Sequence, residues 1–402
     1  MAAKRIYGLD VARSWAMLLA LTAHAMVQVG TPMPSPLVGI VIRTSTPIFI
    51  LLFGAMIALV HLPRAERDGL KVLTRRSWAR GIQCYLLFLA NVLALWIAVP
   101  YSARYTFLCA LMLGSTPYAG ILQYYTIMFM AMPLVILLLR RVPVSLCLAA
   151  AVCVHLAFPQ LKSLPTPPSV MGQPILSRII DLTIGTGSVP QIAGPSILHS
   201  LVLVFAGFLL GRWLTGTSPR GRLWPLLLLF AAVGLWSLTQ TRYGPIDLTS
   251  LSSMRLRNLN HPAYTFIMGG FALVLILVAV AATRGRRVPD ALLVLGRRSL
   301  FGFGFGNVII TFWPKIITAK LGAAPSALLL LAVVIAVIFA YDRALARGKT
   351  GEADHFSFSG LIHAAATAAD RLTTRAANAL VRPARHIRRS RARMAAPELS
   401  DS

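Results

Sequence analysis

The stretch Gly8-Leu-Asp-Val-Ala-Arg-Ser-Trp-Ala-Met-Leu-Leu-Ala-Leu-Thr-Ala-His24 carries only three ionisable residues, Asp10, Arg13 and His24. Continued to Val29, it is long enough to cross about 30 Å of hydrocarbon as a helix. Working outward, apolar windows recur at about 36–60, 82–99, 120–139, 143–158, 196–213, 223–238, 263–282, 300–317 and 323–341. With the first window at 11–29, roughly ten spans are expected. The composition agrees. Of 402 residues 57% are hydrophobic and 13% charged, and mean hydropathy is +0.72. Soluble domains carry about 25% charged residues. So much apolar side chain cannot be hidden in one water-soluble core. Secreted enzyme, cytosolic enzyme and disordered adaptor are excluded. The fold class is an all-α polytopic integral membrane protein. Because Lys4 and Arg5 precede a run long enough to remain as a span, no cleaved signal peptide is expected.

Net charge is +27, from 39 Lys and Arg against 12 Asp and Glu. In a soluble chain this would point to nucleic acid. Here most basic residues lie between apolar windows and read as topology determinants, so no nucleic acid is expected. With the N-terminus placed in the cytoplasm, 29 of them fall inside and nine outside, Arg13 lying within the first span. Ten spans with both termini cytoplasmic satisfy this asymmetry. The chain divides into a membrane domain, 1–341, and a basic cytoplasmic tail, 342–402. In the tail, Leu361–Val381 reads as an amphipathic helix and Arg382–Arg393 as a polybasic run resting on anionic lipid. Two outer loops are long, about 159–195 and 239–262. The run Tyr105–Leu113 is too short to span and reads as re-entrant or interfacial.

Ionisable residues inside a span are costly and are functional candidates by default. Asp10 and Arg13 stand three residues apart and can pair on one helix face. Arg13 and His24 stand eleven apart, which at about 100° per residue returns to within about 20° of the same face, roughly 16 Å along the axis. Arg13 lies near the cytoplasmic end, His24 toward the outer half. An interfacial ion pair and an inter-helix hydrogen bond are the competing structural readings. Histidine needs little tuning to act as a base near neutral pH, and an arginine deeper in the same stripe suits an anionic or polar part of an elongated donor.

Arg13, ten residues and His24 match the R-x10-H motif of the acyltransferase-3 family of membrane acyltransferases, and residues 8–24 resemble that family's opening span. Arg43-Thr-Ser-Thr-Pro47-Ile-Phe49-Ile-Leu-Leu-Phe-Gly54 resembles its arginine-containing second span. Arg75-Arg76 and Arg80 resemble its basic run before the third. Gly120-Ile-Leu-Gln-Tyr-Tyr-Thr-Ile to Pro133 resembles a span of the branch with the osmoregulated periplasmic glucan succinyltransferases. Leu295-Gly-Arg-Arg-Ser-Leu resembles a late family segment. The likeness covers roughly residues 5–341 and is most specific in the first two spans. The chain departs in having Ser14-Trp15 where the family has glycine after the arginine. It also has Asn307 near the position of a late family histidine.

The resemblance implies transfer of an acyl group, succinyl or acetyl, from cytoplasmic acyl-CoA (succinyl-CoA or acetyl-CoA) to a hydroxyl of a glycan at the outer face of a bacterial inner membrane. His24 would be the general base, with Asp10 orienting Arg13. Arg13, Arg43, Arg75, Arg76 and Arg80 would bind the donor, Arg43 also serving developing oxyanion charge. Simple positive-inside anchoring competes for Arg75, Arg76 and Arg80.

At the outer span ends, Tyr124, Tyr125, His261 and Asn307 are candidates for sugar contact, against an interfacial aromatic belt and helix-end histidines. Gly207-Phe-Leu-Leu-Gly211, with Gly302, Gly304 and Gly306, reads as close helix packing. Cys84, Cys109, Cys147 and Cys153 lack CxxC spacing, so no disulfide framework is expected, and no ligand cluster suggests a metal. Partners are membrane lipid and the acceptor glycan, with a homo-oligomer left open. A transporter or flippase for a lipid-linked sugar is the second reading. It calls for paired broken helices and a coupling carboxylate at midplane, whereas Asp10 sits near the inner edge.

Overall fold

The computed structural model describes residues 5–99, 101–114, 116–169, 174–186, 195–216, 223–241 and 246–349. The segments Leu361–Val381 and Arg382–Arg393, with Arg220, Arg222 and Arg242, lie outside them. Among the described residues the chain is helical, with no strand.

Helix α1 (Tyr7–Val29) ends where Gly30 turns left-handed, its N–H meeting the carbonyls of Met26 and Val27. Next, α2 (Pro36–Arg43) starts on Ser35, whose hydroxyl accepts from the Val38 N–H. It gives way at Thr44 to α3 (Ser45–Met56). Pro47 explains the join, since it has no N–H for the Arg43 carbonyl four residues back. The Tyr264 hydroxyl donates to that carbonyl instead, at 3.4 Å. A π turn, Ile57–His61, leads into α4 (Leu62–Arg67). Pro63, with no N–H for Leu59, sits just beyond that turn.

Then follow α5 (Leu70–Ala98), α6 (Ala103–Ala110), α7 (Gly120–Arg141), α8 (Val144–Leu156) and α9 (Phe158–Lys162). Beyond them lie α10 (Ile175–Thr183), α11 (Ile197–Leu214), α12 (Leu223–Ser237), α13 (Leu248–Ser252) and α14 (Arg255–Asn258). A second π turn, Tyr264–Met268, opens α15 (Gly269–Thr283). The chain closes with α16 (Asp290–Arg297), α17 (Ser299–Thr311), α18 (Lys315–Leu321) and α19 (Ala323–Lys349).

A helix occupies each of the ten expected windows, but they are unequal. Six helical segments are long and apolar enough to cross a membrane, or seven if α16 and α17 count as one span bent by 78°. Helices α8 and α12, of 13 and 15 residues, are shorter than a full crossing, and α1, long enough at 23 residues, is not one of the six, its polar side chains Asp10, Arg13, His24 and Gln28 lowering its hydropathy. The window at 300–317 is not one straight span. Pro314 caps α18, and the residue before a proline is pushed out of helical geometry, so α17 stops at Thr311. Helix α19 runs past Tyr341, and Asp342 pairs with Arg298 at the start of α17, 2.6 Å away.

The core is built on α1, which packs against α3, α15, α16, α17 and α19. The tightest crossing joins α3 to α11. A Cβ on Gly207 would lie 2.0 Å from the Leu51 carbonyl oxygen, one on Gly54 2.0 Å from that of Val204, and one on Gly211 2.7 Å from that of Ala55. Only glycine lets two backbones approach so closely.

Candidate active site

Asp10 is buried in the first turn of α1. Its carboxylate accepts from Arg5 at 2.8 Å and from Arg13 at 3.3 Å. The expected Asp10–Arg13 pair therefore forms, and Arg5 joins it. Ser14, which replaces the family glycine, has a use of its own. Its hydroxyl lies 2.5 Å from the Leu292 carbonyl and 3.0 Å from that of Asp10, tying α1 to α16. Gly296 is pressed onto the same place, where a Cβ would meet the Asp10 carbonyl oxygen at 2.2 Å.

Arg13 lines a cavity of about 490 Å³. One end carries Arg64, Asp68, Arg76, Arg80 and Arg297, from segments that the charge asymmetry assigns to the cytoplasm. The walls are apolar and the far end is aromatic, with Phe49, Tyr125 and Phe303. At the mouth, hydrogen bonding from Arg67, with Arg76 beside it, holds the Asp68 carboxyl below the usual carboxylate range. Asp68 thus remains an anion among the arginines and restrains Arg76, 3.1 Å away. His61 also faces the cavity, brought there by the π turn after α3.

His24 stands just beyond the aromatic end. Its ring centroid is 5.8 Å from that of Phe303 and 4.9 Å from that of Tyr118. Nδ1 lies 2.8 Å from Oδ1 of Asn307. The Asn307 amide nitrogen donates to the Tyr118 carbonyl at 2.9 Å, an atom that can only accept. The amide is therefore oriented with its oxygen toward the ring, and Nδ1 must carry the proton. Nε2 keeps its lone pair and makes no hydrogen bond among the described residues. The Tyr118 hydroxyl donates to Gln28 at 3.0 Å, and Gln28 in turn reaches the Thr311 carbonyl. Arg257 and Arg43 lie close enough for their charges to act on the His24 ring. Arg43 also donates from Nε to the Ser252 carbonyl at 3.1 Å.

The expected site residues thus fall into two groups. Arg13, Arg76 and Arg80 line the cavity and Asp10 pairs with Arg13, while His24 and Asn307 lie beyond its aromatic end and Arg43 is not part of its wall. The others do not share an outer surface. Arg75 is exposed and off the cavity wall. Tyr125 faces the inner cavity, its hydroxyl donating to the Phe49 carbonyl at 2.8 Å. Tyr124 is buried with its hydroxyl 3.0 Å from that of Ser200. His261 is buried too, Nδ1 accepting from the Ala263 N–H and Nε2 donating to the Gln240 carbonyl.

Sequence reasoning missed His61, Tyr118, Gln28 and Arg257. Gln28 had a signal, standing one turn beyond His24 on the same face. The other three come from a π turn, a turn before α7 and the short helix α14, whose approach no periodicity announces. None of the four cysteines forms a disulfide. Among the described residues no three His, Cys, Asp or Glu side chains could hold a metal ion together.

Comparison with curated proteins and with solved structures gives no match. The family model of acyltransferase-3, described as an acyltransferase domain, matches residues 6–343, which include α1, both walls of the cavity and Asn307. The chain belongs to that family of membrane acyltransferases.

Proposed function

We propose that this protein moves an acyl group, succinyl or acetyl, from cytoplasmic acyl-CoA to a hydroxyl of an envelope glycan at the outer face of a bacterial inner membrane. The observation that carries the reading is the state of His24. Asn307 holds the proton on Nδ1, and Nε2 is left to accept another.

The acceptor hydroxyl gives its proton to Nε2 as its oxygen attacks the thioester carbonyl carbon. The tetrahedral intermediate then collapses, the C–S bond breaks, and the imidazolium returns the proton to the leaving thiolate. The nearby charges of Arg43 and Arg257 favour the oxyanion of that intermediate. The arginines at the mouth suit the donor's phosphates, and the apolar walls suit its extended arm. A cavity of about 490 Å³ is the size of a small-molecule site, so the arm fits inside while the phosphates stay at the mouth. Arg13, held by Asp10, is placed to bind a polar group along that arm.

The test compares cells carrying the wild-type protein with cells carrying His24→Ala at equal membrane abundance, with envelope glycans read by mass spectrometry. The expected result is an ester-sized mass present only with the wild type, and that mass identifies the acyl group. Glycans equally acylated in both would remove His24 from the reaction and shift the weight to transport.

A further inference from the structure

Helix α10, in the first long outer loop, is built inside out. Ser177, Arg178 and Asp181 share one side at helical spacing and are 0%, 5% and 3% exposed. Leu176 and Ile179, on the other side, are 44% and 43% exposed. A surface helix facing water has the opposite arrangement.

The inward polar side is engaged at each of its three residues, although the buried Arg178 Nε has no hydrogen-bond partner among the described residues. Arg178 donates from Nη1 to the Leu113 carbonyl at 2.7 Å, and its guanidinium lies 5.8 Å from the centre of the Tyr105 ring. The Asp181 carboxylate accepts from the Thr186 hydroxyl. The Ser177 hydroxyl points to the Pro167 carbonyl. Rolling α10 over to hide its leucine and isoleucine would break these contacts.

Helix α6, which Arg178 joins to α10 through Tyr105, also turns apolar side chains outward, with Phe107 and Leu111 exposed. Helix α6 follows the outer end of α5, where Trp96, Ile97 and Val99 are exposed. Those residues end a helix that is long and apolar enough to cross a membrane. The rings of Tyr101 and Tyr105, 5.4 Å apart, stand where the chain leaves the span. That is the position of an interfacial aromatic belt.

We propose that α6 and α10 lie in the outer leaflet of the membrane, with Phe107, Leu176 and Ile179 among the acyl chains, and that the occupant of this apolar face is lipid. Exposing these side chains while burying an arginine and an aspartate is favourable only against an apolar medium. The first outer loop is in this part an interfacial platform rather than a water-exposed connection. The inference is independent of the reaction chemistry.

The test uses the full-length protein in liposomes, with a nitroxide spin label at Ile179→Cys in a Cys153→Ser background and a second label at Phe107→Cys. Relaxation by dissolved oxygen and by a water-soluble nickel chelate is compared with that at Thr166→Cys, an exposed polar position in the same loop. Lipid contact gives oxygen accessibility above that control and nickel accessibility below it, at both sites. High accessibility to nickel would place the helices in water and overturn the proposal. Low accessibility to both reagents would put a protein surface there, of this chain or another, and would overturn it equally. Monodisperse elution of each labelled variant shows that the fold is retained.

Discussion

At the residue scale the decisive feature is one amide. Asn307 stands near a family histidine position, and from sequence it read as a departure with a role in substrate contact. In the fold it is the partner of His24, accepting from Nδ1 and donating to the Tyr118 carbonyl. Replacing it with leucine leaves His24, the proposed base, in place but frees its tautomer and ring orientation. Asn307→Leu is therefore expected to lower kcat by about 10–100-fold, a fraction of the 10²–10⁴-fold that general base catalysis contributes. The donor KM should barely move, because the cavity wall is not touched. Asn307→Asp keeps an oxygen opposite Nδ1–H and should recover part of the loss. Steady-state kinetics of the purified variants, with each acyl-CoA in turn, checks both statements. Equal loss in the two variants would mean that Asn307 acts through packing alone. Spacing made the His24 and Arg13 stripe readable. The Asn307 contact, 283 residues away along the chain, had no local signal.

At the element scale, proline and glycine shape the site. Pro47 joins α2 to α3 with the Arg43 carbonyl released to Tyr264, and Pro63 follows the π turn that delivers His61 to the cavity. Both prolines were visible in sequence. The π turns were not, because an inserted residue changes helical phase without changing composition. The GxxxG of α11 was legible as a packing motif, but its partner was not. That partner is α3, whose Leu51 and Ala55 carbonyls lie under Gly207 and Gly211. Gly207→Val sets a Cβ 2.0 Å from the Leu51 oxygen, which no side-chain rotation relieves. The expected cost is about 1–3 kcal/mol, read as a lower unfolding temperature in detergent and reduced membrane yield. Because α3 also carries Phe49 and Phe53 in the cavity wall, activity should fall with stability. A variant as heat-stable as the wild type would show that α3 and α11 can separate without loss.

At the scale of the whole molecule, the arrangement is a bundle around α1 with one arginine-rich mouth and a histidine beyond its far end. The placement of both termini in the cytoplasm rests on charge asymmetry, which predicts opposite behaviour for two reporter fusions. A cytoplasm-dependent fluorescent protein joined after Lys349 should fluoresce, and one inserted after Thr166 should stay dark. A periplasm-dependent phosphatase should give the reverse. Both reporters agreeing on one side would require an even number of crossings between the two points, against the five expected windows. The sequence by itself determined that the chain lives in a membrane and is helical. It also determined that Asp10, Arg13 and His24 share a face, because hydropathy and a 3.6-residue period are properties of neighbouring residues. It also carried enough of the family pattern to be read as an acyltransferase. Only the tertiary structure decided which residues meet His24 and that Tyr125 lines the cavity with its hydroxyl on the Phe49 carbonyl. It likewise decided that the ninth window bends, and that the outer loop holds a helix with its polar side buried. Each of these depends on contacts between segments far apart in the chain, where close packing of side chains and the pairing of buried polar groups choose among arrangements that local pattern leaves equal.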